Sequence, residues 1–98
     1  MVHHGSILLF PDRTEPWGAA EASAVTFESL ASVVEYGGVQ ILLLGLGRRM
    51  TGLPVALRAA LRSNGIILEA MDTGAACRTY NVLVGEERRV AAALLPMR

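Results

Sequence analysis

The sequence contains no lysine: all nine basic residues are arginine, and they balance nine acidic residues. Without a lysine amine, Schiff-base chemistry and a P-loop nucleotide site are both excluded. The formal net charge of zero leaves no overall field that would attract nucleic acid or an anionic membrane. We therefore expect the chain to bind no nucleic acid and to insert into no membrane.

Cysteine and long apolar runs are also scarce. The one cysteine, Cys77, excludes an intrachain disulfide and suits a reducing compartment, so a cytoplasmic location is expected. No apolar run is long enough for a secretory signal or a transmembrane helix. No group of His, Cys, Asp and Glu has the spacing of metal ligands, so the sequence predicts no metal and no other cofactor.

Apolar residues, by contrast, are abundant for so short a chain. They make up 52% of the 98 residues, and the mean hydropathy is +0.40. This length predicts one domain over residues 1–98, with enough chain to bury a single core without disulfides or metals. The apolar surplus predicts exposed apolar surface, which favours a protein partner or self-association.

Hydrophobic periodicity predicts an α/β fold. Strands are predicted at residues 6–10, 19–25, 41–44, 66–71 and 90–95. Helices are predicted over 26–36, where Thr26 is the expected N-cap, and from Pro54 to a stop at Gly65, which we expect to be left-handed. The segment after Asp72 has strand propensity, but the strand–helix–strand alternation favours a helix there, with Thr73 as its cap.

A candidate site follows from this order of elements. A right-handed crossover makes the strands at 41–44 and 66–71 parallel, so the loops after Leu44 and Met71 lie at the same edge of the sheet. In open α/β sheets, ligands collect beyond such strand ends. If the two strands are neighbours, we expect a crevice that contains Gly45, Gly47, Arg48, Arg49, Asp72, Thr73, Arg78, Tyr80 and Asn81.

Two of the residues near this crevice are candidates for catalysis. Cys77 is expected in the first turn of its helix, where backbone N–H groups and Arg78 favour the thiolate, and Asp72 could act as an acid or base. The competing interpretation is structural, because no histidine follows Cys77 along the chain, and an aspartate in such a turn commonly bonds nearby N–H groups. This interpretation is favoured for both residues, and Tyr80 is expected in the core with an anchored hydroxyl.

The two arginines of the loop after Leu44 also have two possible interpretations. Arg48 and Arg49 beside glycine-rich backbone could bind a small anion, or one of them could pair with a local acid such as Asp72. A dinucleotide site is disfavoured, because Met50 stands where its third glycine would be. The glycines are more simply explained as allowing a tight turn after a crowded strand, so that the crevice residues would only stabilise the loops.

Several segments together resemble one known family. They are LLGLGR at 43–48, MDTGAACRTYNVL at 71–83 and RRVAAAL at 88–94. The family comprises small domains of unassigned function and includes mitochondrial complex I assembly factor three and the adipogenesis-associated domain protein. The resemblance implies a three-layer α/β fold with a central mixed, mostly parallel sheet, βαβ crossovers and one antiparallel strand.

The resemblance also implies an interaction or assembly role, with no established catalytic chemistry, so an enzymatic activity is not favoured. Of the several departures of this sequence from the family, two bear on the site and the fold. Leu46 replaces the threonine that is usual between the two glycines, which removes a hydroxyl from the crevice. Family members usually begin with additional strands, and the early position of Ser6 predicts that this chain lacks them.

Overall fold

A computed structural model of the chain describes residues 5–19, 24–47 and 55–96. Their strands are β1 (Ile7–Phe10), β2 (Arg13–Pro16), β3 (Ile41–Gly45), β4 (Ile67–Met71) and β5 (Val90–Leu94). The α-helices in these ranges are α1 (Ala31–Tyr36), α2 (Val55–Ser63) and α3 (Thr73–Gly85), and a 3₁₀ turn over Glu28–Leu30 precedes α1. In this described part of the chain, no helix is long and apolar enough to cross a bilayer.

The five strands form a single sheet in the order β2-β1-β5-β3-β4. The strands β5, β3 and β4 pair in parallel, whereas β1 is antiparallel to both β2 and β5. The predicted α/β fold with a mixed sheet is thus confirmed, and its four pairings divide evenly between parallel and antiparallel. The predicted neighbour relation between β3 and β4 is also confirmed, which matters for the candidate site.

The strand predicted at residues 19–25 is wrong for the described part of that range, where no residue is in a strand. The second strand is instead β2, which forms a hairpin with β1 across the turn at Pro11 and Asp12. This strand lies at the sheet edge and is mostly exposed, so it carries polar residues and no apolar alternation. Backbone hydrogen bonds to β1 therefore hold β2 in the sheet, and because they do not depend on side chains, they produce no recognisable sequence pattern.

Thr26 bonds to the first turn as predicted, but the regular α-helix begins only at Ala31. The Ser29 N–H donates to Thr26 Oγ1 at 3.1 Å, and the Thr26 N–H donates to Ser29 Oγ at 3.0 Å, as in a capping box. The first turn is 3₁₀, and α1 follows it. The Trp17 indole donates to the Ser29 carbonyl at 2.7 Å, so the buried Trp17 fixes the loop after β2 against this turn.

Alternate residues of the central strands contribute to two hydrophobic clusters. Leu42 and Leu44 belong to the first cluster, together with Trp17 and the buried residues of α1 and α2, whereas Leu43 belongs to the second with Ala76 and Tyr80 of α3. Since successive side chains of a strand point to opposite faces, both faces of β3 are covered. This explains why Ile41 to Leu44 is apolar without interruption.

A side chain of α2 covers the unpaired edge of β4, the last strand of the sheet. Arg58 Nη1 on α2 donates to the Leu68 carbonyl at 2.7 Å, and β4 has a neighbouring strand on its β3 side only. We expect Arg58→Met to lower the free energy of unfolding by about 1 kcal/mol, because a carbonyl loses a charged donor. The freed edge should also increase concentration-dependent self-association, measured by light scattering. Arg62→Met, on the same helix, is the control, and equal association of both variants would contradict a protective role for Arg58.

Candidate functional site

The strands β3, β4 and β5 end side by side, and we call this end of the sheet the carboxyl edge. Gly45 pairs with Met71 on one side and with Leu94 on the other. The loops after β3 and β4 meet there, as expected: the Leu46 N–H donates to the Met71 carbonyl at 2.9 Å, and the Thr73 N–H donates to the Gly47 carbonyl at 2.9 Å. The two predicted loops are therefore in direct contact.

Thr73 joins all three strand ends. Its buried hydroxyl accepts a hydrogen bond from the Gly47 N–H at 2.8 Å and donates one to the Leu95 carbonyl at 2.7 Å. The Leu95 N–H in turn donates to the Gly45 carbonyl at 2.9 Å. One side chain at the start of α3 thus connects the loop after β3 with the residue that follows β5.

The two glycines of the first loop are required by this close packing. A Cβ at Gly45 would stand 2.9 Å from Thr73 Cα and 3.0 Å from Leu94 Cδ2, closer than real Cβ contacts allow. Gly47 has φ of +76°, a conformation that side chains disfavour. These contacts confirm the interpretation that the glycines let the chain turn tightly after a crowded strand.

The first turn of α3 differs from the prediction in two details. Asp72, not Thr73, is the N-cap, and its carboxylate accepts a hydrogen bond from the Ala75 N–H at 2.8 Å. Aspartate caps well because its charge also interacts favourably with the helix dipole. The helix therefore begins one residue earlier than expected, so Cys77 is its fifth residue and lies beyond the first turn. Half-buried, Cys77 packs against the second cluster.

The remaining crevice residues are dispersed. Arg78 is exposed, with Nη1 at 3.4 Å from the position that a Cβ on Gly74 would take, and Asn81 is exposed one turn further on. Tyr80 is buried under α3, away from solvent. Arg48 and Arg49 lie outside the described residues. In the described ranges, no three His, Cys, Asp or Glu side chains are grouped so that they could hold a metal ion.

The path of the chain places this edge at a switch point. From β3 the chain crosses to α2, which packs with the first cluster, and from β4 it crosses to α3, which packs with the second. Neighbouring strands whose connections leave toward different faces open a crevice in α/β sheets, and ligands bind there. Here Gly45, Gly47, Asp72 and Thr73 meet at that position, and their polar groups are engaged with one another or with the backbone.

The Tyr80 hydroxyl is buried and finds no hydrogen-bond partner within the described part of the chain, contrary to the expected anchor. Burial raises the pKa of Tyr80, and the nearby Tyr36 and Asp12 groups raise it further by charge repulsion. A raised pKa means that folding favours the neutral phenol. Its contribution to stability is therefore present below about pH 10, the ordinary tyrosine value, and is lost as the pH rises through the folded-state pKa.

We expect Tyr80→Phe to leave the free energy of unfolding unchanged or to raise it by up to about 1 kcal/mol, because an unpartnered buried hydroxyl costs desolvation energy. The variant should also resist alkaline unfolding better than the wild type, measured by denaturant unfolding at neutral and alkaline pH. At neutral pH, Tyr36→Phe is the control, since it removes a hydroxyl that has a partner: Tyr36 donates to Asp12 Oδ1 at 2.6 Å. A clear loss of stability in Tyr80→Phe would indicate a partner for that hydroxyl.

A cavity of about 370 Å³ lies at the opposite end of the parallel strands, which we call the amino edge. It is lined by Pro11, Tyr36 and residues 37–39 and 88–90. The segments before β3 and β5 form two of its walls, and the Arg89 carbonyl joins them by accepting hydrogen bonds from the Gln40 N–H at 2.9 Å and the Ile41 N–H at 3.2 Å.

Sequence reasoning assigned no site to residues 86–89 and missed this cavity. Arg88 and Arg89 are exposed, and they line the recess. The signal was present, because parallel neighbouring strands bring together the segments before them as well as the loops after them. Because β3 and β5 are parallel neighbours, Gly37-Gly38 before β3 and Arg88-Arg89 before β5 lie together at the amino edge.

The chain is similar to one protein family and to several known proteins. The model of a family described as "Protein of unknown function (DUF498/DUF598)" matches residues 1–95. An uncharacterised protein of Rhodobacter capsulatus is 40% identical over 97 residues, which cover 98% of this chain and 73% of that protein. The solution structure of the Rpa2829 protein from Rhodopseudomonas palustris is 39% identical and superposes with a TM-score of 0.91, covering 99% of this chain and 73% of that one.

A further relative has a name that describes its role. NADH dehydrogenase [ubiquinone] 1 alpha subcomplex assembly factor 3 of Danio rerio is 33% identical over 93 residues. The match covers 94% of this chain and 53% of the zebrafish protein. The chain thus spans about half the length of this assembly factor, and the resemblance seen in the sequence motifs is confirmed.

Proposed function

This chain belongs to the DUF498/DUF598 family of proteins of unknown function, and we propose that it is a non-enzymatic module that binds a protein partner during assembly of a larger complex. The observation that carries this proposal is the 33% identity to the zebrafish assembly factor across 94% of the chain. A similarity that extends over nearly the whole chain indicates a common fold, and the assembly role is the function that the name of this relative suggests.

Two features of the structure support a binding role. Val55, Ile67 and Val82 are large apolar side chains that are more than half exposed, in agreement with the apolar surplus of the sequence. At the carboxyl edge, Asp72 caps a helix and Thr73 bonds two backbone groups, so both side chains have structural partners. The fold thus accounts for these two polar side chains without a catalytic role.

The proposal also covers the domain, its layers and the location of the protein. We propose that residues 1–98 form one domain of three layers, with α1 and α2 on one face of the sheet and α3 on the other. The separation of the two hydrophobic clusters supports this arrangement. We also propose a cytoplasmic location, which suits a chain with one free thiol.

The assembly role is tested by deleting the gene in the organism that encodes it and measuring intact NADH dehydrogenase on native gels. We expect less of the assembled enzyme in the deletion strain and recovery when the wild-type chain is supplied. Undiminished assembly in the deletion strain would contradict the role. If assembly recovers with the wild type, two further variants decide whether chemistry is involved.

These variants are Cys77→Ala and Asp72→Asn. Asparagine caps helices as well as aspartate does, so Asp72→Asn removes the charge and keeps the hydrogen bond to the Ala75 N–H. Both variants should restore assembly as fully as the wild type if the chain is not an enzyme. Failure of either variant, at normal expression and melting temperature, would favour catalysis at the carboxyl edge.

The alternative function is a small-anion site or an enzyme at that edge, with Cys77 as a thiolate, Asp72 as an acid or base, and Arg48, Arg49 and Arg78 holding the anion. The position of these loops at a switch point is the observation that favours it. The alternative predicts fast modification of Cys77 by a thiol reagent at neutral pH. The packing of Cys77 against the second cluster predicts slow modification, measured against the denatured chain.

A further inference from the structure

We propose that the amino-edge cavity binds a carboxylate group carried on a small apolar body. The proposal concerns the cavity between Tyr36, the Gly37-Gly38 segment and the Arg88-Arg89 segment, at the opposite end of the sheet from the predicted crevice. It goes beyond the protein-binding role and does not require it, because the carboxylate could belong to a free organic acid or to a protein chain.

The shape of the recess suits a small molecule. Its volume of about 370 Å³ lies within the range of small-molecule sites. A Cβ at Gly37 would contact no atom within 4 Å, so the absence of side chains at this turn leaves the space open. The hydrogen bonds from Gln40 and Ile41 to the Arg89 carbonyl hold two walls together, so the recess exists without rearrangement of the backbone.

The charge of the lining favours an anion. The lining contains two arginines, Arg88 and Arg89, and no acidic residue. Within the described residues, the ion pair found is between Arg13 and Glu15, and neither cavity arginine is within pairing distance of a carboxylate. A guanidinium group binds carboxylates and phosphates through paired N–H donors, which makes it the natural partner for an anion here.

The surroundings of the cavity favour a carboxylate over a phosphate. The carboxylate of Asp12 accepts the Tyr36 hydroxyl hydrogen at 2.6 Å next to the lining, and Glu86 and Glu87 directly precede Arg88 in the chain. This nearby negative charge disfavours a dianion. Pro11, Val39 and Val90 give the remaining wall an apolar character, which suits the hydrocarbon part of an organic acid.

The experiment is calorimetric titration of the full chain with phenylacetate and with phenylacetamide, its neutral analogue. We expect saturable binding of phenylacetate and much weaker binding of the amide, since the charge is the recognised group. Replacing both arginines (Arg88→Gln with Arg89→Gln) should weaken phenylacetate binding by about tenfold or more, which corresponds to the loss of one charge-assisted contact. Arg62→Gln, an exposed arginine on α2, is the matched control and should bind as the wild type does.

A second titration distinguishes the two sources of the carboxylate. An acetylated dipeptide of leucine with a free carboxyl terminus is compared with the same dipeptide as its amide. Binding of phenylacetate together with the free peptide acid supports a protein chain terminus as the ligand, and binding of phenylacetate alone supports a free organic acid. No saturable binding of either acid, equal binding of acid and amide, or an equal loss in Arg62→Gln would overturn the proposal.

Discussion

Replacing Thr73 with valine is expected to lower the free energy of unfolding by about 2–4 kcal/mol, the largest effect of any side-chain deletion at the carboxyl edge. Valine has nearly the same shape, so the change removes the hydroxyl and little else. The Gly47 N–H then loses its acceptor and the Leu95 carbonyl loses its donor, and both bonds are buried. Unfolding in urea, followed by the fluorescence of the buried Trp17, measures the loss.

Two comparison variants make this result specific. Thr73→Ser keeps the hydroxyl and should retain most of the stability that Thr73→Val loses. Thr79→Val is the same substitution later in α3, where the hydroxyl donates a weak hydrogen bond to Met71 Sδ at 3.7 Å, and it should cost less than about 0.5 kcal/mol. Equal losses in Thr73→Val and Thr79→Val would mean that the hydroxyl of Thr73 does not join the strand ends.

Replacing Gly45 with alanine is expected to cost about 3 kcal/mol, even though a single methyl group is added. The new Cβ would stand 2.9 Å from Thr73 Cα and 3.0 Å from Thr73 Oγ1, so it meets backbone as well as side chain. Backbone at the junction of β3 and α3 cannot move without breaking the hydrogen bonds around Thr73, which makes this a case of costly overpacking. Urea unfolding again gives the magnitude.

Gly85→Ala provides the matched control for this substitution. Gly85 is the last residue of α3, and a Cβ there would meet no atom within 4 Å. Alanine favours the helix over glycine, so this variant should gain about 0.5–1 kcal/mol. Opposite signs for the same chemical change would show that contact at Gly45, and not glycine content, determines stability. A stable Gly45→Ala variant would contradict the close approach of β3 to α3.

The elements buried on both faces were predictable from sequence, and the exposed ones were not. Ile41 to Leu44 is apolar throughout because helices cover both of its faces, and such a run identifies a buried strand. The β2 strand has no comparable pattern, since it is exposed and depends on backbone pairing with β1. Sequence reasoning therefore placed a strand after Trp17 that the described residues do not form.

The candidate site was also predictable from sequence only in part. The crossover rule correctly brought the loop after Leu44 to the loop after Met71, because it depends only on strand direction and order. It did not show that Thr73 fills the junction, since both Asp72 and Thr73 are good helix caps, and a hydroxyl that bonds across strands has no sequence pattern. The recess at the other edge was missed because the ligand rule concerns carboxyl ends alone.

In this account the carboxyl edge of the sheet has a structural role and the amino edge binds the ligand. Backbone amide chemical shifts, followed during a titration with phenylacetate, test this division of roles most directly. The structure predicts saturable shifts at Gly37, Gly38 and Arg89, which surround the amino-edge cavity, and unchanged signals at Gly47 and Thr73. Saturable shifts at Gly47 and Thr73, with constant signals at Gly37 and Gly38, would place the ligand at the carboxyl edge and contradict this division.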